Sequence, residues 1–159
     1  MQPTVPFRGH RGPVYALVPG DAPRTFISGS GDGLVVRWDL DRPEEGMVIA
    51  KVEQAVFSLL RTGPLLLIGT EVGDLHVVHH AQGRELHRFT VHRRGLFRMV
   101  TLDEQRVVCA GGDGSLSIWQ WSSGDVPSLK LLRHIPLVGE KLRDLAADSS
   151  GRRLAVAGG

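Results

Sequence analysis

One stretch of this sequence occurs twice, and its recurrence constrains the fold more than any other feature. Residues 29–39 form a glycine-rich turn and an apolar run that ends in Trp38-Asp39. Residues 111–121 repeat the same order, and Trp119 follows Trp38 by 81 positions. A weaker copy at residues 73–79 lies between the two. Because self-similarity at a period of about 40 residues is typical of repeat architectures, the chain is predicted to stack copies of one unit.

Short strand-like runs recur four to a unit, separated by turns rich in Gly, Pro and Asp. Three full units and half of a fourth are predicted to place strands at residues 14–18, 25–28, 34–39, 47–52, 56–60, 65–68, 74–79, 85–90, 97–101, 106–110, 115–120, 129–133, 142–146 and 154–157. Many of these runs are continuously apolar, which favours sheets covered on both faces. The predicted fold class is therefore all-β, a β-propeller of four-stranded antiparallel blades, incomplete, with three full blades and part of a fourth.

These units resemble the WD-repeat (G-beta repeat) family, whose repeats run about 40–45 residues from a Gly-His start to a Trp-Asp end. The first repeat is the clearest, with Gly9-His10 and Trp38-Asp39. The third has His92 and Trp119 followed by Gln120, and the second has Val78-His79 where Trp-Asp would stand. The resemblance divides one segment, 1–159, into repeats at about 8–46, 47–84, 85–127 and 128–159.

The resemblance also implies a buried hydrogen-bond chain from tryptophan through serine or threonine to histidine and aspartate. The matching positions are Trp38, Ser28, His10 and Asp32 in the first repeat, and Trp119, Cys109, His92 and Asp113 in the third. A thiol hydrogen-bonds weakly, so Cys109 is expected to replace serine poorly. The second repeat lacks the chain and is expected to rely on packing.

Three constellations suggest chemistry, and each favours a structural interpretation. Ser28, His10 and Asp32 are the residue types of a hydrolase triad, but Ser28 lies inside an apolar strand instead of an exposed position beside an oxyanion hole. The turn at 29–33 lacks the Gly-Lys-Ser/Thr ending of a phosphate loop. His76, His79 and His80 have no further ligand at a suitable spacing for metal. No catalytic residue, cofactor or metal site is predicted.

A partner surface is the remaining functional expectation. In WD-repeat propellers the usual contact surface is the face that carries the Gly-His loops and the mouth of the central channel. The resemblance implies partner contacts at Pro13, Tyr15, Phe57, Phe97, Arg93, Arg94 and Arg143. The three aromatic residues recur in register, and they are either an exposed anchor patch or core. The basic stretch comprises Arg84, Arg88, Arg93, Arg94 and Arg98, and it is either a contact for an anionic partner or a solvated rim.

Composition limits the class of partner and the compartment. The net charge of +2 gives no field that attracts nucleic acid, and no stretch is long and apolar enough to span a membrane. A single cysteine fits a reducing, cytoplasmic setting. We therefore expect a non-catalytic scaffold that binds other proteins or peptides. The alternative is a regulatory or sensory propeller of a larger signalling protein or enzyme whose catalytic part lies outside this chain.

Ring closure raises a further expectation, because a propeller needs about 4–8 blades. The remaining blades are expected from further C-terminal sequence, and a second copy of the chain is the alternative. In either case residues 4–7 are expected to form the outer strand of a blade whose inner strands lie outside this sequence.

Overall fold

The structure, a computed structural model, describes residues 4–137 and 139–159. Within them, every regular element is a β-strand. Sheet 1 contains β1 (Val14–Pro19), β2 (Thr25–Ser30), β3 (Leu34–Asp39) and β4 (Arg42–Lys51). Sheet 2 contains β5 (Val56–Thr62), β6 (Leu65–Thr70), β7 (Asp74–His79) and β8 (Arg84–Thr90). Sheet 3 contains β9 (Leu96–Thr101), β10 (Arg106–Gly111), β11 (Ser115–Ser122) and β12 (Ser128–Pro136). Sheet 4 contains β13 (Leu142–Ala147) and β14 (Leu154–Gly158).

The strands of each sheet follow one another in chain order and pair antiparallel. The first strands lie side by side, with β1 next to β5, β5 next to β9 and β9 next to β13. The sheets therefore radiate from a shared inner edge, which confirms the predicted fold class. Over residues 4–137 and 139–159 the sheets do not close into a ring. In the part of the chain that the structure describes, no helix has the length and apolar composition needed to cross a lipid bilayer.

The core lies between the sheets. Ile27 and Val35 of sheet 1 pack against Leu59 and Ile68 of sheet 2. Similar apolar layers join sheet 2 to sheet 3 and sheet 3 to sheet 4. Burying one such side chain stabilises the fold by about 1.5–3 kcal/mol, so each interface depends on its neighbour being present.

One glycine in each recurring turn has a conformation that other residues rarely adopt. Gly33 has a φ of 79° and Gly114 a φ of 78°. A Cβ at Gly33 would collide with the backbone carbonyl of Val52. The repeated Gly-Asp-Gly pattern therefore reflects a backbone requirement, since glycine alone enters this region without steric cost.

The face of sheet 1 turned away from sheet 2 is partly open. Val14 and Leu17, the first and fourth residues of β1, are 48% and 65% exposed. The residues at the same two positions of the other first strands are buried: Val56 0%, Leu59 6%, Leu96 0%, Met99 3%, Leu142 1% and Leu145 3%. Each of those six packs into a layer between two sheets, whereas no sheet formed by the described residues covers β1 on this side.

Two sequence expectations differ from the structure. Residues 42–46, which lie between the strands predicted at 34–39 and 47–52, are themselves strand, because Asp39 pairs with Arg42 and β4 begins there. Residues 4–7 are not a strand, and Phe7 instead packs edge-on against Phe26 and Trp38 at 5.0 and 5.7 Å between ring centroids.

Candidate functional site

A continuous hydrogen-bond chain in sheet 1 joins β2 and β3 to the turn between them and to the loop before β1. Trp38 Nε1 donates to Ser28 Oγ at 2.8 Å, and Ser28 Oγ lies 2.7 Å from His10 Nε2. His10 Nδ1 lies 3.2 Å from the Asp32 carboxylate, which also accepts the backbone N–H groups of Arg11 and Leu34. The four predicted residues are therefore brought together. Ser28 is 2% exposed, so the chain holds the loop and the turn onto the sheet.

Sheet 3 has a matching chain with a different hydroxyl. Trp119 Nε1 donates to Ser117 Oγ at 2.8 Å, and Ser117 Oγ lies 2.8 Å from His92 Nε2. His92 Nδ1 lies 3.2 Å from Asp113 Oδ1. The expectation that Cys109 stands in for the serine needs correction, because Cys109 pairs with Ser117 across the strands and Ser117 takes that place.

Protonation in these chains follows burial and hydrogen bonding. Partial burial raises the pKa of Asp32, but the backbone N–H groups of Arg11 and Leu34 outweigh it and lower that pKa to about 2. Burial lowers the pKa of His92, which favours its neutral form, although the Asp113 carboxylate opposes the shift. Burial also raises the pKa of the Cys109 thiol to about 12, so this thiol is inert.

Sheet 2 has its own polar group in place of the missing chain. The Asp74 side chain is buried, accepts a hydrogen bond from Thr90 Oγ1 at 2.8 Å and accepts one from Arg88 Nε at 3.1 Å. Its backbone N–H donates to Thr70 Oγ1 at 3.1 Å. Sheet 2 therefore does not rely on packing alone, contrary to the sequence expectation. The acidic residue opening β7 was the available signal, but its arginine partner lies on the next strand.

The aromatic residues predicted to recur in register form a ladder across the inner edge. Tyr15, Phe57 and Phe97 are each the second residue of a first strand. The rings of Tyr15 and Phe57 meet edge-on at 5.2 Å, and those of Phe57 and Phe97 stack at 5.4 Å. Arg143, the second residue of β13, places Cζ 4.7 Å from the Phe97 ring centroid. The four side chains therefore form one surface, the aromatic ladder, in which the cation–π contact was not foreseen.

The ladder is accessible, although not uniformly. Tyr15 is 54% exposed, Phe57 and Phe97 are half-buried, and Arg143 is exposed. The aromatic residues are therefore neither a fully exposed anchor patch nor core, because the rings cover one another and still reach the surface. Pro13, Arg93 and Arg94 are exposed in the loops before β1 and β9, at the same end of the strands.

The basic stretch is not one free patch. Arg88 is bound to Asp74, and Arg98 Nε lies 3.1 Å from Asp144 Oδ1 in sheet 4. Arg84, Arg93 and Arg94 are exposed. The stretch is therefore divided between contacts within the protein and an exposed rim.

Of the three histidines in β7 and its following turn, His76 lies in a different environment from the adjacent pair His79 and His80. His76 Nδ1 lies 2.8 Å from Glu85 Oε2, whereas His80 Nδ1 lies 4.0 Å from Asp21 Oδ2. His79 stacks against His80 at 6.2 Å between ring centroids. The carboxylate beside His76 is therefore a different one from the carboxylate nearest His80.

Comparison with known proteins supports this architecture. The family model of the WD domain, G-beta repeat, matches residues 1–39. A comparison with curated proteins gave no significant match.

Solved structures match nearly the whole chain at low identity. The chain is 20% identical to the computationally designed Ika4 protein, and the two structures match with a TM-score of 0.72. This match covers 99% of this chain and 98% of Ika4. For the designed Ika8 protein the identity is 19% and the TM-score is 0.71. That match covers 94% of this chain and 47% of Ika8. For the WD40 repeats of RRP9 the identity is 14% and the TM-score is 0.74. That match covers 87% of this chain and 43% of the RRP9 chain. The chain thus spans about half the length of Ika8 and of the RRP9 repeats. Its first 39 residues match a WD domain, G-beta repeat, and the chain as described has the fold of the WD-repeat β-propellers.

Proposed function

We propose that this chain is a non-catalytic protein-interaction scaffold that contacts its partner through the aromatic ladder. The observation that carries the proposal is the alignment of Tyr15, Phe57, Phe97 and Arg143 at one position of four successive first strands. Exposed aromatic and arginine side chains on a rigid support are the residues that dominate binding energy at protein interfaces. The sheets supply the support, because Phe57, Phe97 and Arg143 each follow a buried core residue.

The hydrogen-bond chains support a non-catalytic role. Ser28, His10 and Asp32 have distances that a hydrolase triad would have, 2.7 and 3.2 Å. However, Ser28 is 2% exposed and its Oγ already accepts the indole N–H of Trp38. A nucleophile must reach its substrate beside an oxyanion hole, so this hydroxyl is placed for structure.

The ladder also suggests the chemistry of the partner. Three rings offer apolar area that a leucine or aromatic side chain could cover. The guanidinium of Arg143 at one end suits a carboxylate, since arginine pairs well with planar anions. We therefore expect a peptide or protein segment that presents an apolar or aromatic residue next to an acidic one.

Selection of peptides from a displayed library against the immobilised 159-residue chain, followed by fluorescence anisotropy, tests the proposal. Tyr15→Ala, Phe57→Ala and Phe97→Ala are each expected to weaken the selected peptides roughly tenfold or more. Leu40→Ala is the matched control, because Leu40 is 46% exposed and follows β3 at the opposite end of the strands. Thermal unfolding of each variant identifies any general loss of fold. Unchanged affinity in all three ladder variants would refute the proposed surface.

A further inference from the structure

His134 brings a third potential metal-binding side chain to the pair that buried His92 and partly exposed Asp113 form in sheet 3. His92 precedes β9, Asp113 lies in the turn before β11, and His134 is on the outer strand β12. Their potential ligand atoms all lie within 4.8 Å of one another. Three separate parts of the chain therefore converge on one point.

The converging groups surround a single hydroxyl. Ser115 Oγ lies 2.6 Å from Asp113 Oδ1, 2.8 Å from His134 Nε2 and 3.1 Å from His92 Nδ1. The Ser115 hydroxyl can donate its one proton to the carboxylate and accept from a ring N–H of His134. A cation in place of this hydroxyl would instead attract one lone pair from each of the three side chains.

We propose that His92 Nδ1, Asp113 Oδ1 and His134 Nε2 form a binding site for a divalent transition-metal ion, with zinc the best fit. Two imidazoles and one carboxylate are a ligand set that zinc uses, with water at the fourth position. Ligands about 2.0–2.2 Å from a tetrahedral ion are roughly 3.3 Å apart. The distance of 3.2 Å between His92 Nδ1 and Asp113 Oδ1 is close to this value. His134 is exposed and Asp113 is partly exposed, so an ion can enter from solvent.

The surroundings of His92 can accommodate the required tautomer. To bind metal through Nδ1, the neutral ring carries its proton on Nε2 and donates it to Ser117 Oγ, 2.8 Å away. That oxygen has two lone pairs, and Trp119 Nε1 uses the other. Ser117 would then orient the ligating ring in the way that hydrogen-bond partners of metal-bound histidines do. Ser115 gives up its hydrogen bonds to the three ligands.

Sheet 1 is a natural comparison. It contains the same pair, with His10 Nδ1 3.2 Å from the Asp32 carboxylate. Ser117 pairs with His134 on the outer strand, whereas Val36, two residues before Trp38, pairs with Val48. Sheet 1 therefore has two of the three ligands and is expected to bind zinc weakly or not at all. The proposed site is specific to sheet 3.

Calorimetric titration of the tag-free 159-residue chain with Zn²⁺, and with Co²⁺ followed by its visible absorption spectrum, tests the site. Wild type is expected to bind one ion tightly and to give the intense bands of a four-coordinate Co²⁺ complex. His134→Ala is expected to weaken this site by roughly a hundredfold, since it removes a ligand. His87→Ala is the matched control, because His87 is an exposed histidine on the outer strand of sheet 2, and it should leave binding unchanged.

Ser115→Ala supplies a second, independent measurement. Removing the hydroxyl that occupies the centre of the cluster is expected to leave zinc affinity unchanged or to increase it. Circular dichroism without metal verifies that each variant is folded. Equal zinc affinity in wild type and His134→Ala would overturn the proposal, as would equal losses in His134→Ala and His87→Ala. Loss of zinc binding in a folded Ser115→Ala variant would overturn the ligand geometry.

Discussion

Cys109 and Ser117 lie directly opposite each other on β10 and β11, and Ser117 supplies the hydroxyl that bonds both His92 and Trp119. In sheet 1 the corresponding cross-strand pair is Ser28 and Val36, with the serine on the other strand. Sheets 1 and 3 thus build the same hydrogen-bond chain with the hydroxyl on different strands. In sheet 1 it comes from the second strand of the sheet, and in sheet 3 it comes from the third. The hydroxyl position is therefore set by the neighbouring histidine and tryptophan, and either strand can fill it.

Ser117→Ala is expected to lower the free energy of unfolding by about 1–3 kcal/mol, because it leaves two buried nitrogen groups without a partner. Cys109→Ala removes only a small buried thiol and is expected to cost less, about 1 kcal/mol. Urea unfolding at neutral pH measures both. A smaller cost for Ser117→Ala than for Cys109→Ala would show that the thiol carries the chain.

Moving the hydroxyl from β11 to β10 gives a sharper test of the same idea. The double variant Cys109→Ser, Ser117→Val reproduces the arrangement of Ser28 and Val36 in sheet 1. It is expected to recover at least half of the stability that Ser117→Val alone loses, since contacting sites couple by about 0.5–3 kcal/mol. Additive costs in this double-mutant cycle would mean that a hydroxyl on β10 cannot replace the one on β11.

The sequence was sufficient for the architecture, for the hydrogen-bond chain of sheet 1 and for three of the four residues of the chain in sheet 3. Repeated positions of Trp38 and Trp119, together with the glycine turns, predicted the sheets. Position in one repeat could not show that Ser117 replaces Cys109, because that exchange depends on which residues face each other across two strands. His134 was missed for the same reason, since it has no counterpart in the first repeat and reaches the cluster only through strand pairing.

Residues that share a position in the repeat differ in burial, and their mutational costs should differ accordingly. Leu17 and Leu59 are each the fourth residue of a first strand, 65% and 6% exposed. Leu59→Ala is expected to cost about 2–5 kcal/mol because it leaves a cavity between two sheets. Leu17→Ala is expected to cost about 0.5 kcal/mol or less. Equal costs by urea unfolding would indicate that another sheet covers β1 in solution, and light scattering would then show whether a second copy provides it.

Acid is expected to weaken the sheet 1 chain in a defined range. The pKa of Asp32 is about 2 in the fold, against 3.8 for an ordinary carboxyl. Since the folded pKa is depressed, its contribution to stability is full above about pH 4 and is lost as pH falls towards about 2. Asp32→Asn is expected to be less stable than wild type at neutral pH, with a difference that narrows over this range. Urea unfolding across that range measures the narrowing, and a constant difference would contradict it.

The buried Asp74 carboxylate of sheet 2 distinguishes an arginine that supports the fold from one that lies on the exposed rim. Arg88 and Arg84 lie on the same outer strand and are both exposed at their ends, but only Arg88 donates to buried Asp74. Arg88→Ala leaves that carboxylate with a hydroxyl partner alone, so it is expected to cost about 1–3 kcal/mol. Arg84→Ala is expected to change stability by no more than about 0.5 kcal/mol. Thermal and urea unfolding of the two variants compare them directly, and a second Asp74→Asn substitution should reduce the cost of Arg88→Ala. If both substitutions lowered the free energy of unfolding by a similar small amount, water would satisfy Asp74 as well as Arg88 does. Sheet 2 would then be stabilised by packing, as expected from the sequence.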